Sequence, residues 1–454
     1  MTADEHATVK TAEGQVNRLD PAQLRKSVRG AFVGNVMEWY DVGVFGYLIV
    51  VLGPVFQPES DAATQTVFML GTFAATYLFR PLGGLFFGWL GDRIGRRRVL
   101  FITLTVVAAA TTLIGLLPTY DVIGPAAAVL LVILRILQGF SSGGEFTGAV
   151  TFITESSPDS RRGFYAAFLD MGSYLGFASG AAVVTVLQLI FGAQAMEGGL
   201  WRVPFLIAAP LGAAAVYLRL RVSESPHFTQ LVEENRSHGG AQRLKVRPFH
   251  ALMKNWRPIL MVIVLVAAAN SAGYAFTSYL PTYLSSVLGH DAVEGNLFSL
   301  PLLILMAAAM PFVGMVSDRV GRKPVLITAA LWVIFLSIPA FKLIEAGTTA
   351  GLIIGLAMVG LPVALYMATL AGTYPALFPT RARNTSMGVS YNVSIALFGG
   401  TAPLIIDRLI RVTGENSAAA YYLMGMSVVG LVAILFLRET AGRPLPGSAP
   451  NTSS

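Results

Sequence analysis

Long apolar stretches alternate with short polar turns along almost the whole chain. Twelve of them have bilayer-crossing length. They cover about 30–56, 66–90, 99–117, 125–154, 163–191 and 201–220, then 256–288, 296–316, 324–344, 351–378, 385–409 and 418–437. About 20 consecutive apolar residues carry a helix across the hydrocarbon core. The pattern therefore predicts an all-α membrane protein with twelve transmembrane helices. The alternating ten-residue strands of an outer-membrane barrel are not seen. Polar segments divide the chain into an N-terminal segment 1–29, a six-helix bundle 30–220, a linker 221–255, a second six-helix bundle 256–438 and a tail 439–454.

The two bundles echo each other. Gly88-Trp89-Leu90-Gly91-Asp92-Arg93-Ile94-Gly95-Arg96-Arg97 follows the second stretch, and Gly314-Met315-Val316-Ser317-Asp318-Arg319-Val320-Gly321-Arg322-Lys323 follows the eighth. Asp92 and Asp318 are 226 positions apart. A second pair of turns, 158–162 and 379–383, recurs at an offset of 221. Two related six-span halves predict the parallel-repeat plan of a rocking transporter, with its site between the halves near mid-membrane.

Composition fits this picture. The 454 residues are 54% hydrophobic and 13% charged, where a soluble domain carries about 25% charge. The net charge of +7 would suit a nucleic-acid binder, but the cations cluster at helix ends without a nucleic-acid motif around them. Of 32 Lys and Arg, 26 fall on one side of a twelve-span topology, while Arg202, Lys342, Arg408 and Arg411 fall on the other. Cations concentrate in cytoplasmic loops, so both termini are expected to be cytoplasmic. The chain has no cysteine, no phosphate-binding Gly-Lys loop and no His cluster. No cofactor, metal or nucleic acid is expected, and the start of the chain has no cleavable signal pattern.

Charges inside a bilayer are expensive and mark function by default. Within the stretches above they are read as Glu38, Asp41, Arg80, Arg135, Glu145 and Asp170. The core of the second half is read as carrying none. All five histidines lie in loops or tails, so a proton carrier would be a carboxylate: Glu38, Asp41, Glu145 or Asp170. Glu38 and Asp41 share one helical face, either as a proton site or as ion-pair partners of Arg80 or Arg135. Arg135 is either a two-pronged clamp for a substrate carboxylate or a neutraliser of those acids. Glu145 and Asp170 fit gating salt bridges as well as proton transfer.

The paired Asp-Arg turns, together with Arg135-Ile136-Leu137-Gln138-Gly139, resemble the major facilitator superfamily. Gly34-Asn35-Val36-Met37-Glu38-Trp39-Tyr40-Asp41, Arg80-Pro81-Leu82-Gly83-Gly84 and Gln138-Gly139-Phe140-Ser141-Ser142-Gly143-Gly144-Glu145 look like its metabolite:proton symporter family. Leu169-Asp170-Met171-Gly172-Ser173 and Glu439-Thr440-Ala441-Gly442-Arg443-Pro444-Leu445 are similar to that family's proline/glycine-betaine branch. The resemblance implies two pseudo-symmetric bundles in a bacterial inner membrane and proton-coupled uptake of a zwitterion. A symporter of organic acids such as citrate, α-ketoglutarate or shikimate is the alternative. A receptor that binds without translocating would be expected to carry a soluble signalling domain, and none is read here. Some osmosensing members carry a long C-terminal coiled coil; after Arg443 this sequence has no heptads.

A zwitterion needs an anionic partner and aromatic faces for its ammonium group. Trp39, Tyr40, Phe140, Tyr174, Tyr274 and Tyr391 are the candidate faces. Gln138, Asn270 and Asn392 are polar candidates, with Asn270 and Tyr274 four apart on one helix face. The resemblance also implies that Asp92, Arg93 and Arg96 gate the cytoplasmic side, with Asp92 engaging the start of the eleventh helix at Thr385–Ser386. Asp318, Arg319 and Arg322 are the second copy of that device.

Overall fold

A bilayer offers no water to the backbone, so a spanning segment must satisfy its own N–H and C=O groups. The apolar stretches accordingly become helices. A computed structural model describes residues 21–94, 96–220, 252–290 and 292–447, and the described residues contain no strand. The first half is built from α1 (Pro21–Phe56), α2 (Ala62–Leu78), α3 (Arg80–Ile94), α4 (Arg96–Leu116), α5 (Ala126–Ser142), α6 (Glu145–Ser156), α7 (Arg162–Phe191) and α8 (Arg202–Leu220). The second contains α9 (Trp256–Tyr274), α10 (Ala292–Val320), α11 (Arg322–Glu345), α12 (Thr349–Thr373), α13 (Thr380–Ser394), α14 (Ala402–Thr413) and α15 (Ala418–Phe436). Most of the expected linker, 221–251, and most of the N-terminal segment lie outside the described residues. So do Gly95 and residues 448–454.

The fifteen helices named above make twelve spans, because the second, fourth and eleventh spans each consist of two. Ten helical stretches among the described residues are long and apolar enough to cross a membrane. The other two spans are the α2–α3 rod and α4. The second span was expected to be continuous but breaks at Phe79. Pro81 follows closely, and a proline disfavours helical geometry in the residue before it while suiting the first turn of a new helix. The fourth span breaks at Gly143-Gly144, where two glycines weaken the helix. The eleventh span passes from α13 to α14 through a wide turn at Ile395–Gly399. The seventh continues beyond α9 through two such turns, Ala275–Tyr279 and Tyr283–Val287. Wide turns of this kind cluster at functional sites. α1 begins at Pro21, nine residues before the expected start.

Within the halves, α1 packs along α7, α4 along α8, and α11 against α12 and α15. The halves meet where α7 packs on α10, and where α2 and α3 meet α14 and α13. These contacts are the fifth span on the eighth and the second on the eleventh, which exchange under a six-span shift. Large apolar side chains such as Leu116, Phe335 and Phe436 face outward, as a bilayer-facing belt requires.

One end of the molecule is closed by the second Asp-Arg turn and the chain after α15. Gly321 adopts φ +107° ahead of α11, a conformation that side chains avoid. The Glu439 carboxylate accepts the backbone N–H groups of Arg322 at 3.1 Å and Lys323 at 3.0 Å, capping α11. Arg162 of the first half donates to the Arg443 carbonyl at 2.9 Å, and Arg383 of the second donates to that of Pro446 at 3.0 Å. Residues 439–447 thus lie across both halves.

Burial alone would raise the Glu439 carboxyl, but four backbone N–H donors outweigh it and hold the group below the usual carboxylate range. A depressed value stabilises the fold above the unfolded-state range, and that contribution is lost as pH falls through it. Glu439→Gln should therefore lower the melting temperature near neutral pH and flatten its decline on acidification. A melting profile unchanged on the acid side would contradict this.

Candidate functional site

Near the middle of α1, Glu38 and Asp41 point into the first half, and each meets its own arginine. Arg80, at the start of α3, donates to Glu38 Oε1 at 2.8 Å. Arg135, midway along α5, lies 3.5 Å from Asp41 Oδ2 and donates to Gln138 Oε1 at 2.9 Å. Gln138 Nε2 donates in turn to Asp41 Oδ1 at 2.9 Å and to Thr111 at 2.8 Å. All four charged groups are buried. The pairing alternative for the two acids therefore holds in this conformation. The Arg135 guanidinium lies 4.1 Å from the Phe45 ring centre and does not line the central cavity.

Between the halves lies a narrow cavity that in this conformation has room for little more than a water molecule. Trp39, Asp170 and Tyr174 of the first half face Asn270, Tyr274 and Tyr391 of the second across it. All six were candidates in the sequence. Asn35 fixes the Trp39 wall: it accepts from the indole N–H at 3.2 Å and donates to Ser173 of α7 at 2.7 Å. The Tyr274 ring centre is 6.1 Å from Trp39 and 5.0 Å from Tyr77. Tyr391 stacks on Phe146 at 4.8 Å. Asp170 is buried and its Oδ2 has no hydrogen-bond partner among the described residues. A buried carboxylate without a partner is costly.

The remaining candidates lie elsewhere. Tyr40 donates to the Pro204 carbonyl at 2.8 Å inside the first half. Phe140 packs 5.4 Å from both Phe86 and Phe87. Glu145 is buried in the first turn of α6. Asn392 crosses between the halves, donating to the Gly143 carbonyl at 2.5 Å, a group freed by the break in the fourth span.

Hydrogen bonds and an ion pair join the halves on both sides of the cavity. At the end carrying the Asp-Arg turns, Asp318 accepts the backbone N–H groups of Gly163 at 2.9 Å and Phe164 at 2.8 Å, at the start of α7. Arg322 is fully buried beside Asp318, at 3.4 Å. Arg319 is exposed. Arg383 pairs with Glu155 across the halves at 2.5 Å. The side chains of Asp92, Arg93 and Arg96 lie outside the described residues. At the other end Tyr47 meets Ser299 at 3.3 Å, and Asn296 donates to Gln188 at 3.4 Å.

Two features were missed in the sequence. The second half does hold a buried membrane carboxylate: Asp407 is fully buried and pairs with Arg411 at 2.6 Å, with the Tyr279 hydroxyl 3.3 Å away. Its position inside the 385–409 stretch, four residues before an arginine, was the available signal. Arg80, read only as a counter-charge, lies against the rings that wall the cavity, 5.6 Å from Trp39 and 4.9 Å from Tyr77.

The Major Facilitator Superfamily profile matches residues 31–403. The ectoine/proline transporter ProP of Corynebacterium glutamicum is 46% identical over 451 residues, 97% of this chain and 89% of that protein. The proline/betaine transporter of Escherichia coli K12 is 41% identical over 442 residues, 96% and 88% of the two chains. In fold, the chain is similar to the proton:xylose symporter XylE bound to 6-bromo-6-deoxy-D-glucose, with a TM-score of 0.75 over 93% of this chain and 98% of that one, at 18% identity. The two-half cavity and these matches agree: the chain is a membrane transporter that belongs to the Major Facilitator Superfamily.

Proposed function

We propose that the chain takes proline, glycine betaine, ectoine or related zwitterions into the cytoplasm together with protons, by alternating access. The observation that carries this reading is Asp170. It is a cavity carboxylate with an unsatisfied oxygen, set among the faces of Trp39, Tyr174, Tyr274 and Tyr391. That combination suits a substituted ammonium, which gains both a counter-charge and ring faces. The relatives named above as proline, betaine and ectoine transporters support the same class. A citrate-type anion would meet the Asp170 carboxylate in this cavity.

In the proposed cycle, bundles 30–220 and 256–438 rock about the cavity. Opening to the cytoplasm parts Asp318 from the start of α7 and Arg383 from Glu155. Opening outward parts Tyr47 from Ser299 and Asn296 from Gln188. The surplus of 26 cations on the side of the Asp-Arg turns makes that side cytoplasmic, with both termini there. The membrane is then the bacterial inner membrane.

Purified protein in proteoliposomes should accumulate labelled proline and betaine, faster with an inward proton gradient. Uptake indifferent to the gradient would remove proton coupling. Uptake of citrate alone would replace the zwitterion reading with the organic-acid one.

A further inference from the structure

We propose that Arg80 takes the substrate's carboxylate, and that Glu38 releases it for that task by accepting a proton. This assignment rests on the zwitterion reading above and names the second half of its recognition site. A zwitterion whose ammonium sits at Asp170 still has an anion to place. In a water-poor site that anion needs a cation or several donors.

Among the described residues, the spans near the cavity offer two arginines. Arg135 is held by Asp41 and Gln138, and Phe45 covers it. Phe45 stacks on Phe73, whose ring meets Tyr274 edge-on. Arg80 is closer. Its guanidinium lies against Trp39, itself a cavity wall, and against Tyr77, which touches Tyr274. Its Nη2 serves Glu38, while its buried Nε–H has no hydrogen-bond partner among the described residues.

Charge conservation then supplies the coupling. With Glu38 ionised, Arg80 is neutralised and the substrate carboxylate must compete for it. A proton on Glu38 removes that competitor, and the substrate carboxylate replaces it. The empty site, with Asp170 ionised, carries one net negative charge. With one proton and one zwitterion bound, it is neutral, the state that is cheapest to enclose between two apolar bundles. The charged and titratable groups facing Arg80 are Glu38 on α1, Tyr77 on α2, Tyr274 on α9 and Tyr391 on α13; Asp41 and Arg135 also feel its charge.

The test compares two ligands, proline and pyrrolidine, which share an ammonium but differ in the carboxylate. Binding is measured on purified protein from mildly alkaline to mildly acidic pH. Wild-type protein should bind proline more tightly as pH falls, and Glu38→Gln should show the tight, acid-side affinity throughout. Arg80→Lys keeps the charge but loses the planar fork, so it should weaken proline by about tenfold or more and leave pyrrolidine nearly unchanged. The double variant Glu38→Gln/Arg80→Gln removes both charges at once and guards against misfolding from a lone buried ion. It should bind pyrrolidine and lose proline. The assignment is overturned if Arg80→Lys weakens both ligands equally, or if Arg135→Lys gives the carboxylate-selective loss instead. If wild-type protein binds neither proline nor betaine, the zwitterion reading falls and takes this assignment with it.

Discussion

Asp170→Asn is expected to abolish zwitterion accumulation while leaving the protein as stable as before, or more so. The substitution keeps the shape of the side chain and removes only its charge. No cation pairs with Asp170 among the described salt bridges, so the change strands no buried partner. It relieves a carboxylate whose Oδ2 is unsatisfied. What disappears is the counter-charge for the substrate's ammonium. Truncating one side of a desolvated, hydrogen-bonded charge pair costs about 2–5 kcal/mol, roughly thirtyfold to a few thousandfold in affinity. Uptake and thermal melting of the same preparation separate the two roles. Uptake within about threefold of wild type would remove Asp170 from the site. A large fall in melting temperature would make it a structural group.

Gly139→Ala is expected to be among the most damaging single-methyl changes in the first half. On α5, a Cβ at residue 139 would overlap the Thr76 carbonyl of α2, and a Cβ on Gly83 would overlap the Phe140 carbonyl. Each helix thus presents a glycine to the other's backbone, the small-residue contact by which membrane helices approach closely. Ordinary overpacking costs about 1–3 kcal/mol, because side chains and backbone shift to make room. Here the obstacle is a carbonyl on a packed helix, so a loss at or above the top of that range is expected. The displaced neighbours are Arg80 and Gln138, so transport should fall along with melting temperature and yield. A variant that melts like wild type would show that the second and fourth spans are less closely joined than described.

Much of this was legible in the chain. Span lengths follow from bilayer thickness, and the repeated Asp-Arg turns reveal two halves. The six cavity residues were reachable because ionisable and aromatic side chains at mid-span have few bland reasons to be there together. The pairing of acids with arginines was not reachable. Glu38 and Asp41 sit three apart on α1, while Arg80 and Arg135 come from other spans, and spacing along one helix cannot say which meets which. From the start of α3, Arg80 meets Glu38 and Trp39, a pairing that only the fold brings together. Arg135 looked like a clamp because its position is central; in this conformation it is sealed behind Phe45. Asp407 was overlooked when the charges near the end of the eleventh stretch were assigned to a loop.

The strap formed by residues 439–447 has a practical bearing on any work with this protein. Glu439 fastens it to α11, and its carbonyls at Arg443 and Pro446 are gripped by arginines from opposite bundles. A purification handle or fluorescent reporter fused directly after α15 would evict the strap and unbalance the two access states. Such fusions belong beyond residue 447, behind a flexible spacer.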